Sequence, residues 1–462
     1  MSGRRPAASR KARPRDGAER VAPHAPRERL PGPDEIERAA PGRDAELAPA
    51  PGVADEVSLR WYKSLKPRMR RGHEIELLES GAQYFPALER AIDEACASVY
   101  LETYIFEDDP TGRRIGAALE RAALRGVRVH VVVDGFGTAL IDPLRAQALR
   151  ASGVLLEVFR PDLRRYSLDR QRLRRMHRKM AVVDGAVAFV GGINVLDDYN
   201  DPNHGALDHP RLDYAVRVRG PLVAQAHVAA ARLWWETATV NRVAHGDKEI
   251  SARELLQLPV KVRSDIASSG NMRAALMLRD NLRHRRTIER AYLRAIGRAR
   301  SEVLIACAYF FPGGRFRRAL KSAVRRGVRV RLLLQGRIEY RLQHYASQAL
   351  YEPWLRDGIE IVEYRRSFLH AKVAVIDDWA TVGSSNIDPF SLLLAREANV
   401  AVEDAGFARL LRERLNRAID EGGERVALDT YRRRPWPVRV MNRVALFVVR
   451  IGVALTGRGA EY

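Results

Sequence analysis

The feature that most constrains the fold is a pattern that occurs twice along the 462 residues. Each copy alternates stretches rich in β-branched residues with stretches of helical periodicity, and the string RGVRV occurs at residues 125–129 and again at 326–330. Strands that alternate with helices indicate a mixed α/β fold, and an internal repeat indicates two similar halves. The sequence therefore predicts two α/β halves, each a mixed β-sheet flanked by helices, packed with pseudo-twofold symmetry around one active site.

Composition and patterning divide the chain into five segments. Residues 1–58 are rich in Arg, Pro and Ala and lack hydrophobic periodicity, which is typical of a disordered basic head. The first half is expected over residues 59–240, a linker over 241–275 and the second half over 276–430. Residues 431–462 form a separate C-terminal segment in which apolar residues are interrupted by arginines.

Both copies contain the same constellation, His-x-Lys-x4-Asp, near their ends. Lysine is rare in this chain, and most of its 79 Lys and Arg residues are arginines. Two lysines in the same slot after a histidine, at equivalent points of the repeat, are therefore unlikely to arise by chance. The candidate catalytic set is formed by His177, Lys179, Asp184, His370, Lys372 and Asp377.

Strand geometry explains the spacing within the motifs. Apolar β-branched residues mark each motif as a strand, and side chains at positions i and i+2 of a strand point to the same face. Asp184 and Gly185 are a signal for a two-residue hairpin turn, so we expect the chain to reverse there. The returning strand would bring Asn194 beside the first His-Lys pair, and Asn386 occupies the matching place in the second copy.

An imidazole, an ammonium and a carboxamide from each half would together surround a singly charged phosphodiester. Lys179 and Lys372 would neutralise its equatorial oxygens, while Asn194 and Asn386 would donate hydrogen bonds to them. One imidazole would attack phosphorus and the other would protonate the leaving alkoxide. Because the lysines take the charge role that a metal ion has in many phosphoryl-transfer sites, we predict no metal site and no other cofactor.

Each imidazole also needs a partner on its second ring nitrogen, which fixes the tautomer. Asp213 and Glu397 occupy matching places, each an acid that opens an apolar strand, and we assign this orienting role to them. The alternative is a surface acid at a strand end. Within the catalytic set, Asp184 and Asp377 are interpreted as turn and framework residues rather than as proton carriers.

The double His-x-Lys-x4-Asp signature resembles that of the phospholipase D superfamily. Strings such as LETYIFEDD, RRMHRKMAVVDG and GSSNIDPFSLLLAREANV narrow the resemblance to bacterial cardiolipin synthases of the B type. The resemblance implies two phospholipase D-like halves and a metal-independent phosphatidyltransferase that joins two phosphatidylglycerol molecules and releases glycerol. It further implies that His177 is the nucleophile, forming a phosphohistidine, and that His370 protonates the departing glycerol. The second motif has Ala371 where the first has Arg178; this position points away from the site, so we expect little consequence.

The charge balance indicates an anionic partner. Basic residues outnumber the 57 acidic ones by 22, which suits nucleic acid or an anionic membrane surface. The C-terminal segment places Arg439, Arg443 and Arg450 in one stripe of an apolar helix that Trp436 opens, the pattern of an interfacial helix. A last helix buried on the domain is the alternative. Arginines within residues 162–178 would attract either phospholipid headgroups or a nucleic-acid backbone.

The resemblance to the synthases implies phosphatidylglycerol, an anionic phospholipid, as the substrate. With this resemblance, we expect the protein to lie peripherally on the cytoplasmic side of the bacterial inner membrane, and no obligatory protein partner is evident. A nuclease of the same superfamily and a phospholipase D hydrolase are the alternatives, with nucleic acid the less favoured partner. No apolar run reaches the roughly 18 residues that a conventional membrane-spanning helix requires.

Overall fold

The structure is a computed structural model that describes residues 67–138, 143–161, 175–202, 204–244, 268–280, 284–388 and 395–453. The basic head expected at residues 1–58 lies outside these ranges. So do the middle of the linker expected at 241–275 and most of the arginine-rich stretch 162–178. No helix in the described ranges is long and apolar enough to cross a membrane.

The first half begins with β1 (Arg70–Glu79), α1 (Ser80–Asp93), β2 (Ser98–Thr103), α2 (Pro110–Leu124), β3 (Arg128–Asp134), α3 (Pro143–Ala151) and β4 (Leu155–Phe159). It continues with β5 (Lys179–Val183), β6 (Val187–Gly191), the short pair β7 (Asn200–Asp201) and β8 (Gly205–Ala206), β9 (Tyr214–Arg219) and α4 (Leu222–Ala244).

The second half repeats this order with β10 (Met272–Arg279), α5 (Thr287–Arg298), β11 (Glu302–Cys307), α6 (Gly314–Arg325), β12 (Arg329–Gln335), α7 (Arg341–Gln348), α8 (Tyr351–Arg356) and β13 (Glu360–Tyr364). It continues with β14 (Lys372–Ile376), β15 (Trp379–Gly383), β16 (Glu397–Glu403), α9 (Ala405–Gly422) and β17 (Gly423–Arg425). Two helices follow, α10 (Leu428–Arg432) and α11 (Trp436–Val453).

The two halves have the same strand order, which confirms the predicted α/β repeat. The first is ordered β1-β9-β6-β5-β2-β3-β4 and the second β10-β16-β15-β14-β11-β12-β13, with β17 added at the edge. In each half the last three strands of this order are parallel and the others antiparallel. Antiparallel pairing of β1 with β10 joins the halves, so the described residues form one 15-stranded sheet.

Both motif strands lie in the centre of their sheets and are buried on both faces. Every residue of β5 and β14 is buried, and one hydrophobic cluster contains side chains from both halves, including α4 and α9. Each fully buried Val or Leu side chain contributes about 1.5–3 kcal/mol relative to an exposed one. The two lysines are therefore fixed on fully buried strands, which suits a site that needs exact spacing.

The turns that follow the two motifs differ in length. Between β5 and β6 the register pairs Val183 with Val187, so the turn has three residues, and the prediction of a two-residue turn was wrong. Positive φ angles at Asp184 (51°) and Gly185 (63°) carry the chain through this turn, and the amide of residue 186 donates to the carbonyl of Val183. In the second half, Ile376 pairs with Trp379 across a two-residue turn.

Candidate active site

The two motif histidines lie at the boundary between the halves. His177 and His370 each precede the central strand of their own half, and each pairs there with main chain of the other half. The amide of His177 donates to the carbonyl of Arg396 over 3.0 Å, and the amide of His370 donates to the carbonyl of Leu212 over 2.8 Å. Parallel bridges at these points, one on each side of the pseudo-twofold, hold each histidine segment to the other half.

The carboxylates predicted to orient the histidines contact them across the pseudo-twofold. Nδ1 of His177 lies 3.0 Å from Oε1 of Glu397, and Nδ1 of His370 lies 2.6 Å from Oδ2 of Asp213. Each half therefore supplies the carboxylate for the histidine of the other half. A proton shared between Nδ1 and a carboxylate leaves the lone pair of Nε2 available to a ligand.

The two half-sites share one electrostatic environment. Burial lowers the pKa of His177, and the ammoniums of Lys179 and Lys372 lower it further. Burial also holds the pKa of His370 well below its usual range, and Lys372, Lys179, Arg211 and His177 act in the same direction. Charges of each half therefore act on the histidine of the other half.

Both motif lysines are almost completely buried beside the histidines. Nζ of Lys179 donates to the carbonyl of His177 over 3.0 Å and lies 5.2 Å from the ring centre of Tyr104. Nζ of Lys372 donates to the carbonyl of His370 and lies 3.7 Å from Oδ2 of Asp213. Burial lowers the pKa of Lys179 to about 7. A bound anion would favour the charged form of these ammoniums, so the pocket is suited to a phosphate ester.

The two asparagines are oriented by residues at or just beyond the ends of β2 and β11. Oδ1 of Asn194 accepts a hydrogen bond of 3.2 Å from the amide of Ile105, and Oδ1 of Asn386 accepts a weak one of 3.8 Å from the thiol of Cys307. Because the oxygen of each carboxamide is held in this way, its NH₂ group remains to donate to a ligand.

The motif aspartates lie at the opposite ends of their strands from the lysines. Asp184 accepts hydrogen bonds of 2.8 Å from the amides of residues 96, 97 and 98, which lead into β2. Asp377 accepts from the amides of residues 300, 301 and 302, which lead into β11. Both residues therefore fix the loop before the neighbouring strand, which is a framework position rather than a place in the cleft.

Small residues after β6 and β15 make room for the orienting carboxylates. A Cβ atom at Gly192 would lie 2.3 Å from Oδ1 of Asp213, so any larger residue there would displace this carboxylate. At the matching place in the second half, the hydroxyl of Ser384 donates to Oε2 of Glu397 over 2.5 Å. Ser384, Glu397 and His177 thus form a hydrogen-bonded chain that the sequence reasoning did not identify.

A cleft with a cavity volume of ≈ 280 Å³ opens beside these residues. Among the side chains that line it are Asn194, Arg211, Asp213, Glu339 and His370, and three aromatic residues, Tyr104, Phe136 and Tyr340. The sequence reasoning did not single out Tyr104, whose ring centre lies 4.9 Å from that of His177. It also missed Arg211, although this residue stands two positions before Asp213. Within the described residues, no group of three or more His, Cys, Asp and Glu side chains is arranged to hold a metal ion.

Arg178, between His177 and Lys179, faces away from the cleft but is not at the surface. Its guanidinium forms a buried ion pair with Glu102, with Nη2 2.6 Å from Oε1, and donates to the carbonyl of Ala229 over 3.0 Å. The strand registers place Ala306 and Ala371 at the equivalent positions of the second half. The difference between the motifs therefore replaces an ion pair by two small apolar side chains.

Two segments of the chain, residues 88–207 and 292–419, match a family model described as "Cardiolipin synthase, PLD-like domain". Each matched segment contains one of the two motifs. The chain belongs to this family. The resemblance to the phospholipase D superfamily and to bacterial cardiolipin synthases is thereby confirmed.

Individual relatives agree with this assignment. Cardiolipin synthase B of Escherichia coli (strain K12) is 38% identical over 403 residues, which cover 85% of this chain and 92% of the relative. Cardiolipin synthase A of Pseudomonas putida is 31% identical over 365 residues, which cover 78% of this chain and 70% of the relative. A crystal structure of phosphatidylserine synthase from Haemophilus influenzae has the same fold, with a TM-score of 0.62 and 12% identity, and covers 87% of this chain and 99% of its own.

Proposed function

We propose that this family member is a cardiolipin synthase, which transfers the phosphatidyl group of one phosphatidylglycerol to another and releases glycerol. The observation that carries the proposal is the pair of imidazoles, His177 and His370, each bonded to a carboxylate of the opposite half beside two buried ammoniums. The curated relatives, which are named cardiolipin synthases, support cardiolipin as the product.

The proposed reaction has two steps with a covalent intermediate. Nε2 of His177 forms a bond to phosphorus while the bond from phosphorus to the glycerol oxygen breaks, and His370 gives a proton to that oxygen. A hydroxyl of the second phosphatidylglycerol then gives its proton to His370, its oxygen bonds to phosphorus, and the phosphorus–nitrogen bond breaks. Lys179, Lys372 and the two asparagines stabilise the charge on the remaining phosphoryl oxygens in both steps.

The pKa shifts agree with these roles. Burial lowers the pKa of His177, so this ring is neutral and nucleophilic at neutral pH. Burial holds the pKa of His370 well below its usual range, and Lys372 and Lys179 lower it further because they repel its charged form. A bound phosphodiester would neutralise those ammoniums and raise the pKa of His370, so a larger fraction of this ring would carry the proton that the leaving oxygen takes.

Exchange of Glu397 for glutamine tests the contact across the halves. We expect Glu397→Gln to lower kcat by about 10²- to 10⁴-fold, because a neutral amide no longer fixes the tautomer of His177 or stabilises its charge. The measurement is the rate of cardiolipin formation from phosphatidylglycerol vesicles. The control is Glu236→Gln, which removes a carboxylate 3.0 Å from Nη1 of Arg396, the residue next to Glu397. Equal losses in the two variants would contradict the orienting role.

Lipid mass spectrometry tests the proposed function itself. The purified protein with phosphatidylglycerol vesicles should form a four-chain lipid and release glycerol in equal amounts, with EDTA present. Phosphatidic acid as the sole lipid product would instead identify a hydrolase. Nicking of DNA in EDTA, lost on His177→Ala, would identify the nuclease alternative.

We also propose that α11 attaches the protein to an anionic membrane surface, on the cytoplasmic side of the inner membrane. One face of this helix packs on the domain through Asn442, Ala445 and Val449, which are buried. A second face is apolar and exposed; Trp436 is 69% and Phe447 64% exposed, and Val440, Val444 and Ile451 continue this face. The sequence left two alternatives for this helix, an interfacial helix and a helix buried on the domain. One face of α11 packs on the domain and another presents an amphipathic surface, so each alternative describes one face.

The charges and position of α11 support a membrane as the surface that it contacts. Arg439, Arg443 and Arg450 are exposed beside the apolar face, where each would gain on the order of 1 kcal/mol near anionic headgroups. The helix packs against α7, which begins directly after Tyr340, a residue that lines the cleft. Attachment through α11 would therefore hold the cleft close to the lipid surface.

Polar substitution of the exposed face tests the attachment. We expect Trp436→Ser with Phe447→Ser to lower the vesicle-bound fraction in flotation by about tenfold or more, because two large apolar side chains no longer enter the interface. The melting temperature should hardly change, since both side chains are exposed. The matched control is Leu124→Ser at the end of α2, where a 75% exposed leucine lies on another helix. Equal vesicle binding by both variants would contradict the proposal.

A further inference from the structure

Arg211 is a third cation of the cleft, and its guanidinium is only partly used by the protein. Nη2 lies 2.7 Å from Oδ2 of Asp201, while Nη1 is buried and has no hydrogen-bond partner within the described part of the chain. The residue is 8% exposed and lines the same cleft as His370. An unsatisfied buried donor in a pocket costs about 1–3 kcal/mol, a cost that a bound anion would remove.

The local main chain holds Arg211 firmly in this place. Its amide donates to the carbonyl of Asp198 over 2.9 Å, and its own carbonyl accepts from the hydroxyl of Ser80 over 2.9 Å. Asp213, two positions later, bonds to His370. The same short segment therefore positions the guanidinium of Arg211 and contacts this imidazole. Burial lowers the pKa of His370, and the charges of the two motif lysines and of Arg211 lower it further.

Arg211 breaks the pseudo-twofold symmetry of the site. The histidines, lysines and asparagines occur in both halves, and Asp213 corresponds to Glu397. Two positions before Glu397 stands Ala395, so the second half supplies no cation at the place equivalent to Arg211. A single phosphodiester between the histidines is served by the symmetric groups. The additional cation lies on the side of His370, the histidine that receives the proton of the incoming hydroxyl.

We infer that Arg211 binds the phosphodiester of the acceptor lipid, and so selects phosphatidylglycerol over neutral alcohols and water as the acceptor. The inference rests on the proposed function, in which two phosphatidylglycerol molecules meet in one cleft. The acceptor carries its phosphate at one end of its glycerol and the attacking hydroxyl at the other. Nη1 of Arg211 donates to that phosphate, and the hydroxyl lies at His370.

The acidic residues around Arg211 fit the remainder of this headgroup. Burial raises the pKa of Asp198 to about 7, so this carboxyl is partly protonated at neutral pH and opposes a bound anion less than an ordinary aspartate would. Burial also raises the pKa of Glu339, which accepts a hydrogen bond from Tyr309. Both side chains line the cleft and can bond to glycerol hydroxyls.

The test measures two products in the same reaction. Phosphatidylglycerol vesicles are mixed with isotopically labelled glycerol, and mass spectrometry follows cardiolipin, made with the anionic acceptor, and labelled phosphatidylglycerol, made with the neutral one. In Arg211→Ala we expect the ratio of cardiolipin to labelled phosphatidylglycerol to fall by about tenfold or more, the effect of one charge-assisted hydrogen bond. Since both products come from one sample, the ratio does not depend on how much of the protein is folded.

Arg211→Lys separates anion binding from a structural role. A lysine ammonium keeps the ion pair with Asp201 but lacks the second NH₂ group, so the ratio should fall here as well. A purely structural role predicts the wild-type ratio in Arg211→Lys, and that result, or an equal loss of both products in Arg211→Ala, would overturn the inference. Failure of the proposed function is a separate outcome, because the wild-type protein would then form no cardiolipin.

Discussion

Replacement of His177 by alanine is expected to lower phosphatidyl transfer by about 10⁴-fold or more, since no other group in the cleft takes the place of the nucleophile. The effect should depend on the leaving group in a way that separates the two histidines. With a p-nitrophenyl phosphodiester, whose leaving group departs without a proton, His177→Ala should release no burst of nitrophenol. His370→Ala should release about one equivalent per active site, because His177 still attacks and the intermediate then persists.

Each of these two variants is the control for the other. Both remove one imidazole, and the two side chains are similarly exposed, so a general loss of folding would affect their bursts alike. Mass spectrometry of the denatured His370→Ala protein should find the phosphoryl adduct on the peptide that contains residue 177. A burst from His177→Ala together with none from His370→Ala would show that the roles are reversed.

Replacement of Arg178 by alanine is expected to lower the free energy of unfolding by about 3–5 kcal/mol, the cost of breaking a buried ion pair by removal of one partner. Glu102 would remain on a central strand without its counter-charge, and the carbonyl of Ala229 would lose a donor. Denaturation in urea, followed by circular dichroism, measures the loss. This result would correct the expectation from sequence that the residue between His and Lys has little consequence.

The double variant Glu102→Ala with Arg178→Ala reproduces the alanine pair of the second half and is the matched control. We expect it to be more stable than Arg178→Ala alone, because no uncompensated charge is left. Burial raises the pKa of Glu102, so its protonated form is favoured in the folded state. Without Arg178, the stability should therefore be higher in mildly acidic buffer and should fall as the pH rises. Equal stability of the single and double variants would contradict this account.

Much of the fold could be predicted because its signals are local. Alternation of side chains along a strand places His177 and Lys179 on one face whatever surrounds the strand, and the repeat shows that His370 and Lys372 are arranged alike. The strands β1 and β10 were not predicted, since neither contains a motif. Their antiparallel pairing joins the two sheets, an interaction between residues about 200 positions apart that no local pattern encodes.

The features of the candidate site also fall into two groups, residues that local sequence patterns predict and contacts that depend on tertiary packing. The sequence by itself determined the six motif residues, the two asparagines and the acids Asp213 and Glu397, because residue type and spacing carry that information. Only the tertiary structure decided that each acid bonds to the histidine of the other half, that Arg178 pairs with Glu102, and that Arg211 enters the cleft. These contacts join segments from about 10 to 220 residues apart, so they depend on how the halves pack, and packing follows from all buried surfaces together rather than from any one segment.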